Sequence, residues 1–124
     1  MQDDVQRFFE SYREAFSRGA SAVAELYSEP CITVRMGVVR VNATRKDTES
    51  LFAEIEKNYR AKGFTHSDVL TLKAQTLGSS GALATVRWAY KNRDDETLWE
   101  TTFSYNLYRL GGAWKILVLT MHEA

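Results

Sequence analysis

Residues 98–124 read LWETTFSYNLYRLGGAWKILVLTMHEA, and this stretch decides the fold. Two runs of strand-forming residues flank a Gly-Gly turn, which predicts an antiparallel hairpin. Phe103, Tyr105 and Leu107 fall on one face of its first strand because side chains alternate along a strand. The second strand, WKILVLTM at 114–121, is apolar on both faces. Another layer must therefore cover each face of the sheet.

The register of this hairpin follows from counting outward from the Gly-Gly turn. The three pairs expected on the inner face are Tyr105 with Val118, Leu107 with Ile116, and Phe103 with Thr120. His122 then lies on the inner face, whereas Leu117, Leu119 and Met121 face outwards. An apolar surface of this kind is unusual on a monomer, so we expect a second subunit to cover it.

The chain before this hairpin continues the sheet. Turn-forming strings, GSSG, NRDDE and LGGA, separate strands that we predict at about 66–77, 82–92, 97–110 and 113–122. The alternation is clearest in ALATVRWAY at 82–90, where small and aromatic side chains share one face. These four strands form an antiparallel meander.

The first half of the sequence is mainly helical. Its opening stretch carries apolar residues at i, i+3, i+4, i+7 and i+11, which is one stripe of a helix that ends near Gly19. A short second helix carries Val23, Leu26 and Tyr27 and stops before Pro30. The residues of the first stripe are Val5, Phe8, Phe9, Tyr12 and Phe16.

A strand pair and a third helix connect these helices to the meander. CITVRMGVVRVNA is β-branched and broken at Gly37, which predicts two short strands around a turn. The third helix runs from about Thr44 to Lys62 and ends at Gly63. Its apolar stripe consists of Leu51, Phe52, Ile55 and Tyr59.

The composition fits one globular domain, residues 1–124. Sixteen basic and sixteen acidic side chains cancel, so we expect no nucleic-acid or membrane partner. A single cysteine, Cys31, excludes an internal disulfide, and the amino terminus is too polar for a signal peptide, which predicts a cytoplasmic protein. No zinc-ligand spacing and no glycine-rich phosphate loop occurs, so no metal or cofactor is expected.

The element order is ααββα followed by the four-strand meander, which is an α+β arrangement. This order resembles the NTF2-like superfamily, whose cystatin-like cone packs three N-terminal helices on a curved antiparallel sheet. The strings that carry the resemblance are SYREAFSRGASAVAELYSEP at 11–30, the strand pair before the third helix, and the final aromatic strand, glycine turn and WKI. They cover nearly the whole chain, and they are most similar to small bacterial members of unassigned role, often called SnoaL-like.

The resemblance implies that the concave face of the sheet lines a pocket and that the convex face forms a homodimer. We expect the pocket to bind a small hydrophobic or aromatic ligand. Arg35 would require a carboxylate or an anionic ligand if it faces inwards, and it is an ordinary solvated side chain if it faces outwards. The candidate ligand-binding residues are Phe16, Tyr27, Arg35, Trp88, Tyr90, Trp99, Phe103 and Tyr105.

Two enzyme chemistries of this superfamily fit the sequence poorly. Tyr12 matches the helix tyrosine of ketosteroid isomerases, but their general base falls near Met36, and residues 31–41 hold no carboxylate. The position of their second catalytic acid corresponds to Tyr105 or Asn106, and neither of these is a carboxylic acid. The epoxide hydrolases use an Asp-Arg-Asp group. The candidates for it in this sequence are Arg35 or Arg87 as the arginine and Asp68 and Glu100 as the acids, which is a poor match.

Two alternatives to ligand binding stay open at this point. In a dehydratase-like lyase or isomerase, Tyr12 and His122 would be the catalytic pair, because a histidine can act as acid or base and a tyrosine can polarise a carbonyl. In a non-catalytic dimeric module, the aromatic side chains would fill the cone and the surface would bind a partner.

Overall fold

The computed structural model describes residues 2–109 and 111–123. No helix in this part of the chain is both long and apolar enough to cross a membrane. The helices are α1 (Gln2–Arg18), α2 (Ala20–Ala24) and α3 (Arg45–Ala61), and the strands are β1 (Tyr27–Arg35), β2 (Val38–Asn42), β3 (His66–Leu77), β4 (Gly81–Lys91), β5 (Thr97–Tyr108) and β6 (Lys115–Met121).

The six strands form a sheet in the order β2-β1-β6-β5-β4-β3, with the α+β element order that the sequence predicted. Strands β3 to β6 agree with the predicted meander to within two residues at their described ends. Leu110, the last residue of one predicted strand, lies outside the described residues. The expectation of an antiparallel sheet is wrong in one place, because β1 and β6 pair in parallel. These two strands are not joined by a hairpin, so no tight turn makes them antiparallel.

The inner face of the sheet packs against the helices. Every second residue of β4, from Ala82 to Tyr90, is buried, as the alternation predicted. Phe9 on α1 is fully buried, and its ring centroid lies 4.8 Å from that of Tyr105 and 6.4 Å from that of Trp88. The predicted helical stripe therefore packs directly onto the aromatic residues of β4 and β5.

The predictions for the other two helices had different outcomes. Helix α3 begins after Thr44, whose side chain accepts a hydrogen bond from the Asp47 backbone in a capping box, and Gly63 follows it with φ of 100°, as expected at a helix end. Helix α2 ends at Ala24, so Tyr27 begins β1 instead of continuing the helix. Pairing with β6 explains this, because the Ile116 amide donates to the Leu26 carbonyl at 2.9 Å.

The predicted register of the last hairpin is wrong beyond its first pair. Leu107 faces Ile116 as expected, but a β-bulge follows between Asn106 and Leu107. The extra residue shifts the remaining partners by one position and exchanges the two faces of β6. The observed pairs are Tyr105 with Leu119, Asn106 with Val118, Phe103 with Met121 and Ser104 with Thr120.

This shift changes which residues form the outer face of the sheet. Leu119 is buried and Met121 lies on the inner side, whereas Val118 and Thr120 face outwards. An aliphatic surface nevertheless exists at the β2-β1-β6 end of the sheet. The outer aliphatic patch, as we call it, consists of Ile32, Val34, Val39, Val41 and Val118, which the pairings of these strands place side by side.

Candidate functional site

A small cavity lies between α1, α3 and the inner face of the sheet. Its free volume is about 20 Å³, which is enough for one water molecule. Aromatic rings form most of its wall, so the cone is largely filled by its own side chains. The lining residues of this inner cavity are Tyr12, Phe16, Arg35, Phe52, Ile55, Tyr59, Ser67, Trp88, Tyr90, Phe103, Tyr105 and Leu119.

The buried tyrosines around the cavity hydrogen-bond to other side chains. The hydroxyl oxygens of Tyr12 and Tyr27 lie 2.8 Å apart, and the Trp88 indole donates to the Tyr105 hydroxyl at 2.8 Å. The Tyr90 hydroxyl is bonded to Thr101 at 2.9 Å. These bonds hold the rings in fixed positions, because breaking one would leave a buried polar group without a partner.

Burial changes the acidity of these tyrosines. Removal from water disfavours the charged form, and it raises the pKa of Tyr12, Tyr27 and Tyr105 well above the usual value. Burial also raises the pKa of Tyr90, although the bond to Thr101 and the charge of Arg35 partly oppose this rise. At neutral pH these hydroxyls are therefore protonated, so they can donate hydrogen bonds but cannot act as bases.

Two polar groups of the cavity wall have no protein partner among the described residues. Ser67 is buried on β3, and its hydroxyl forms no hydrogen bond in that part of the chain. Arg35 is half-buried at the end of β1, and no carboxylate of residues 2–109 or 111–123 forms an ion pair with it. A ligand in this cavity would find these two groups available.

The catalytic candidate His122 lies on the opposite side of the sheet. Its Nε2 atom is 2.7 Å from the Ser104 hydroxyl, on the outer face with Thr120. The expected inner position is wrong because it depended on the register without the bulge. The residues that line the cavity, as far as the structure describes them, include no aspartate, glutamate, histidine, lysine or cysteine.

The acids considered for epoxide hydrolysis also lie away from the cavity. Arg87 donates to Glu100 at 2.9 Å, and Lys91 pairs with Asp68 at 3.1 Å. Arg87 and Glu100 are exposed to solvent. Among the described residues, no group of three side chains could hold a metal ion.

Most of the predicted ligand-binding residues are brought together. Two of them, Tyr27 and Trp99, do not line the cavity. Tyr27 is hydrogen-bonded to Tyr12 and packs on Phe52, and Trp99 stacks on Tyr90. The predicted residues that line the cavity are Tyr12, Phe16, Arg35, Trp88, Tyr90, Phe103 and Tyr105.

The sequence prediction missed five of the lining residues. Phe52, Ile55 and Tyr59 belong to the apolar stripe recognised on α3, but that stripe was not assigned to the pocket. Ser67 could have been found from alternation along β3, since it pairs with the inner residue Tyr90. Leu119 was assigned to the other face by the register error.

Solved structures of similar shape support the cone architecture. An NTF-2 like protein of unknown function from Shewanella oneidensis MR-1 has a TM-score of 0.76 and 20% identity, over 98% of each chain. The yeast UBP3-associated protein BRE5 has a TM-score of 0.79 and 14% identity, over 98% of this chain and 94% of that one. Aln2 from a Streptomyces species has a TM-score of 0.79 and 9% identity, over 98% and 89%. At these identities the likeness shows the fold alone.

Sequence comparison assigns the family. No curated protein matches the chain significantly. The profile of one family, described as "NTF2-like protein (DUF6841)", matches residues 2–124. Because this match spans nearly the whole sequence and agrees with the cone described above, the chain belongs to this NTF2-like family.

Proposed function

We propose that this NTF2-like domain binds a small molecule in the inner cavity. The observation that carries the proposal is the pair of unpartnered polar groups, Arg35 and Ser67, in an otherwise aromatic wall. Ligand sites are commonly apolar pockets with a few polar groups that fix the orientation of the ligand. The proposal is binding without turnover, because the described lining residues provide no base at neutral pH.

The ligand must enter by displacing side chains, because the free volume is about that of one water molecule. Phe16 and Tyr59 line the cavity and are only half-buried, so we expect these two rings to move apart when a ligand enters. Their ring centroids are 5.8 Å apart. We therefore expect a compact ligand that separates these two rings.

Ligand binding is tested by thermal unfolding in the presence of small aromatic and apolar compounds. A compound at a hundredfold its dissociation constant stabilises the folded state by about 2.7 kcal/mol, which raises the melting temperature. Ser67→Val should abolish this rise in melting temperature, because the larger side chain fills the cavity and the hydroxyl is removed. Thr71→Val, an exposed change on the same strand, serves as the control and should respond as wild type. A full response by Ser67→Val, or no response by wild type, would contradict the proposal.

We also propose that the domain forms a homodimer through the outer aliphatic patch. Val39 and Val41 are 70% and 66% exposed, and burying such side chains favours association by roughly 1.5–3 kcal/mol each. Strand β2 is also an edge of the sheet, with backbone groups free to meet a second copy. The patch replaces Leu117, Leu119 and Met121 as the basis for the expected contact.

The dimer proposal predicts a change of mass in solution. Wild type should sediment as a dimer at micromolar concentration, and the double variant Val39→Asp, Val41→Asp should sediment as a monomer, because two carboxylates per subunit would need to be buried. Thr71→Asp, on the outer face at the far edge, should stay dimeric. A monomeric wild type, or a double variant that is still dimeric, would rule out this interface.

A further inference from the structure

Arg35 lies at the junction between the inner cavity and a groove on the surface. The groove runs between the β1-β2 hairpin and α3, and its volume is about 200 Å³. A ligand that reached the cavity through the groove would pass the Arg35 guanidinium. The mouth groove, as we call it, is lined by Thr33, Arg35, Met36, Val38, Arg40 and Leu51.

The pairing of β1 with β2 puts a second cation beside Arg35. Thr33 faces Arg40 and Arg35 faces Val38, so all four side chains project to the side of the sheet that carries α3. Arg40 is exposed, whereas Arg35 is half-buried. The mouth groove therefore contains two positive charges and no acidic residue among its described lining.

The lack of a carboxylate partner distinguishes these arginines from most others in the fold. Arg45, Arg60 and Arg87 each form an ion pair with a glutamate, at 2.6, 3.1 and 2.9 Å. Within residues 2–109 and 111–123, neither Arg35 nor Arg40 has such a pair. A guanidinium that is partly removed from water gains most from an anion that forms charge-assisted hydrogen bonds with it.

We propose that the ligand is a small organic carboxylate, with its carboxylate bound by Arg35 in the mouth groove and its apolar body among the rings of the inner cavity. This inference rests on the proposed ligand binding and adds the chemical class. A planar carboxylate matches one guanidinium with two parallel hydrogen bonds, and Arg40 adds a second positive charge to the same groove.

A carboxylate is favoured over a phosphate because of what surrounds the arginines. A phosphate dianion is usually bound by several donors, such as successive backbone amides at a helix end or in a loop. Here Arg35 lines the cavity together with Phe16 and Phe52, and it lines the mouth groove together with Leu51. This setting suits one negative charge attached to an apolar group.

The test compares benzoate with benzamide, which has nearly the same shape but no charge, by ligand-observed NMR titration. We expect wild type to bind benzoate roughly tenfold or more tightly than benzamide, the usual benefit of hydrogen bonds to a charged group. Arg35→Gln should remove this difference by lowering the affinity for benzoate. Arg40→Gln should reduce it less, because Arg40 is exposed. Arg93→Gln, which changes the net charge equally in the β4–β5 turn, should have no effect.

The outcomes separate this inference from the proposed function. If benzamide binds as tightly as benzoate, the proposed ligand binding is supported, but the binding of a carboxylate by Arg35 is wrong. If neither compound binds, both ideas fail for this ligand class. Equal losses of benzoate affinity in Arg35→Gln and Arg93→Gln would indicate a general effect of net charge and would overturn the proposed role of Arg35. Inorganic phosphate that displaces benzoate at equal concentration would also overturn it, because the apolar body would then contribute nothing.

Discussion

Above about pH 10 we expect the protein to unfold cooperatively, with its buried tyrosines ionising as it does so. Burial raises the pKa of Tyr12, Tyr27, Tyr90 and Tyr105 in the folded state. A tyrosine in the unfolded chain ionises near its ordinary value. The folded state therefore holds protons that the unfolded state releases.

The sign and size of this effect follow from proton linkage. Each tyrosine with a raised pKa stabilises the folded state fully at pH values below its pKa in the unfolded chain. This stabilisation is lost as the pH rises from that pKa towards the pKa in the folded state. At about pH 11, each tyrosine that ionises only on unfolding lowers the free energy of unfolding by about 1.4 kcal/mol. Four such residues lower it by about 6 kcal/mol, which is comparable with the whole stability of a typical domain.

Alkaline unfolding is measured by following tyrosinate absorbance and circular dichroism together during a pH titration. Both signals should change at the same pH if the four hydroxyls ionise only on unfolding. Between neutral pH and about pH 11, the free energy of unfolding of Tyr90→Phe should fall by about 1.4 kcal/mol less than that of wild type. Full ionisation of the four hydroxyls at their ordinary pKa in a protein that is still folded would refute the expectation.

Phe9→Ala should lower the free energy of unfolding by about 3–5 kcal/mol. Phe9 is fully buried, and its ring contacts those of Phe8, Tyr12, Trp88 and Tyr105. Removing the ring loses hydrophobic transfer energy and leaves a void that this rigid aromatic cluster cannot close. Urea unfolding at neutral pH provides the measurement.

An aliphatic residue at the surface provides the control for Phe9→Ala. Leu77 at the end of β3 is 49% exposed, so Leu77→Ala should change stability by less than about 1 kcal/mol. A loss of less than about 1 kcal/mol for Phe9→Ala would mean that α1 is not fastened to the sheet at this point.

The architecture could be predicted from the sequence because its signals are local and repeated. The apolar stripes of α1 and α3 predicted those helices, and the alternation from Ala82 to Tyr90 predicted the inner face of β4. Thr44 and Gly63 set the ends of α3. Each of these features needs only the hydrophobic pattern or the turn chemistry of a short segment.

The features that sequence reasoning missed depend on interactions between distant segments. The bulge opposite Leu107 exchanges the faces of β6, and no residue type near Leu117 marks it. Tyr27 joins β1 because β6 lies beside it, although the two segments are far apart in the chain. The same exchange of faces moved His122 out of the candidate site and Leu119 into it.

The site was predictable in composition but not in size. Seven of the expected residues line the cavity, because aromatic side chains on α1, β4 and β5 face a common interior. The free volume of about 20 Å³ could not be foreseen, since it depends on how the rings pack against one another. The position of Arg35 was likewise open until the pairing of β1 with β2 placed it beside Arg40.

The place of β6 in the sheet has a consequence for how the protein is made. This strand is the last of the six in chain order, yet it lies between β1 and β5. Until a ribosome has released residues 115–121, the β1-β2 pair and the β3-β4-β5 group each display an unpaired edge. A nascent chain therefore remains prone to aggregation through these edges until β6 has emerged, and the two parts of the sheet join only when that strand is available.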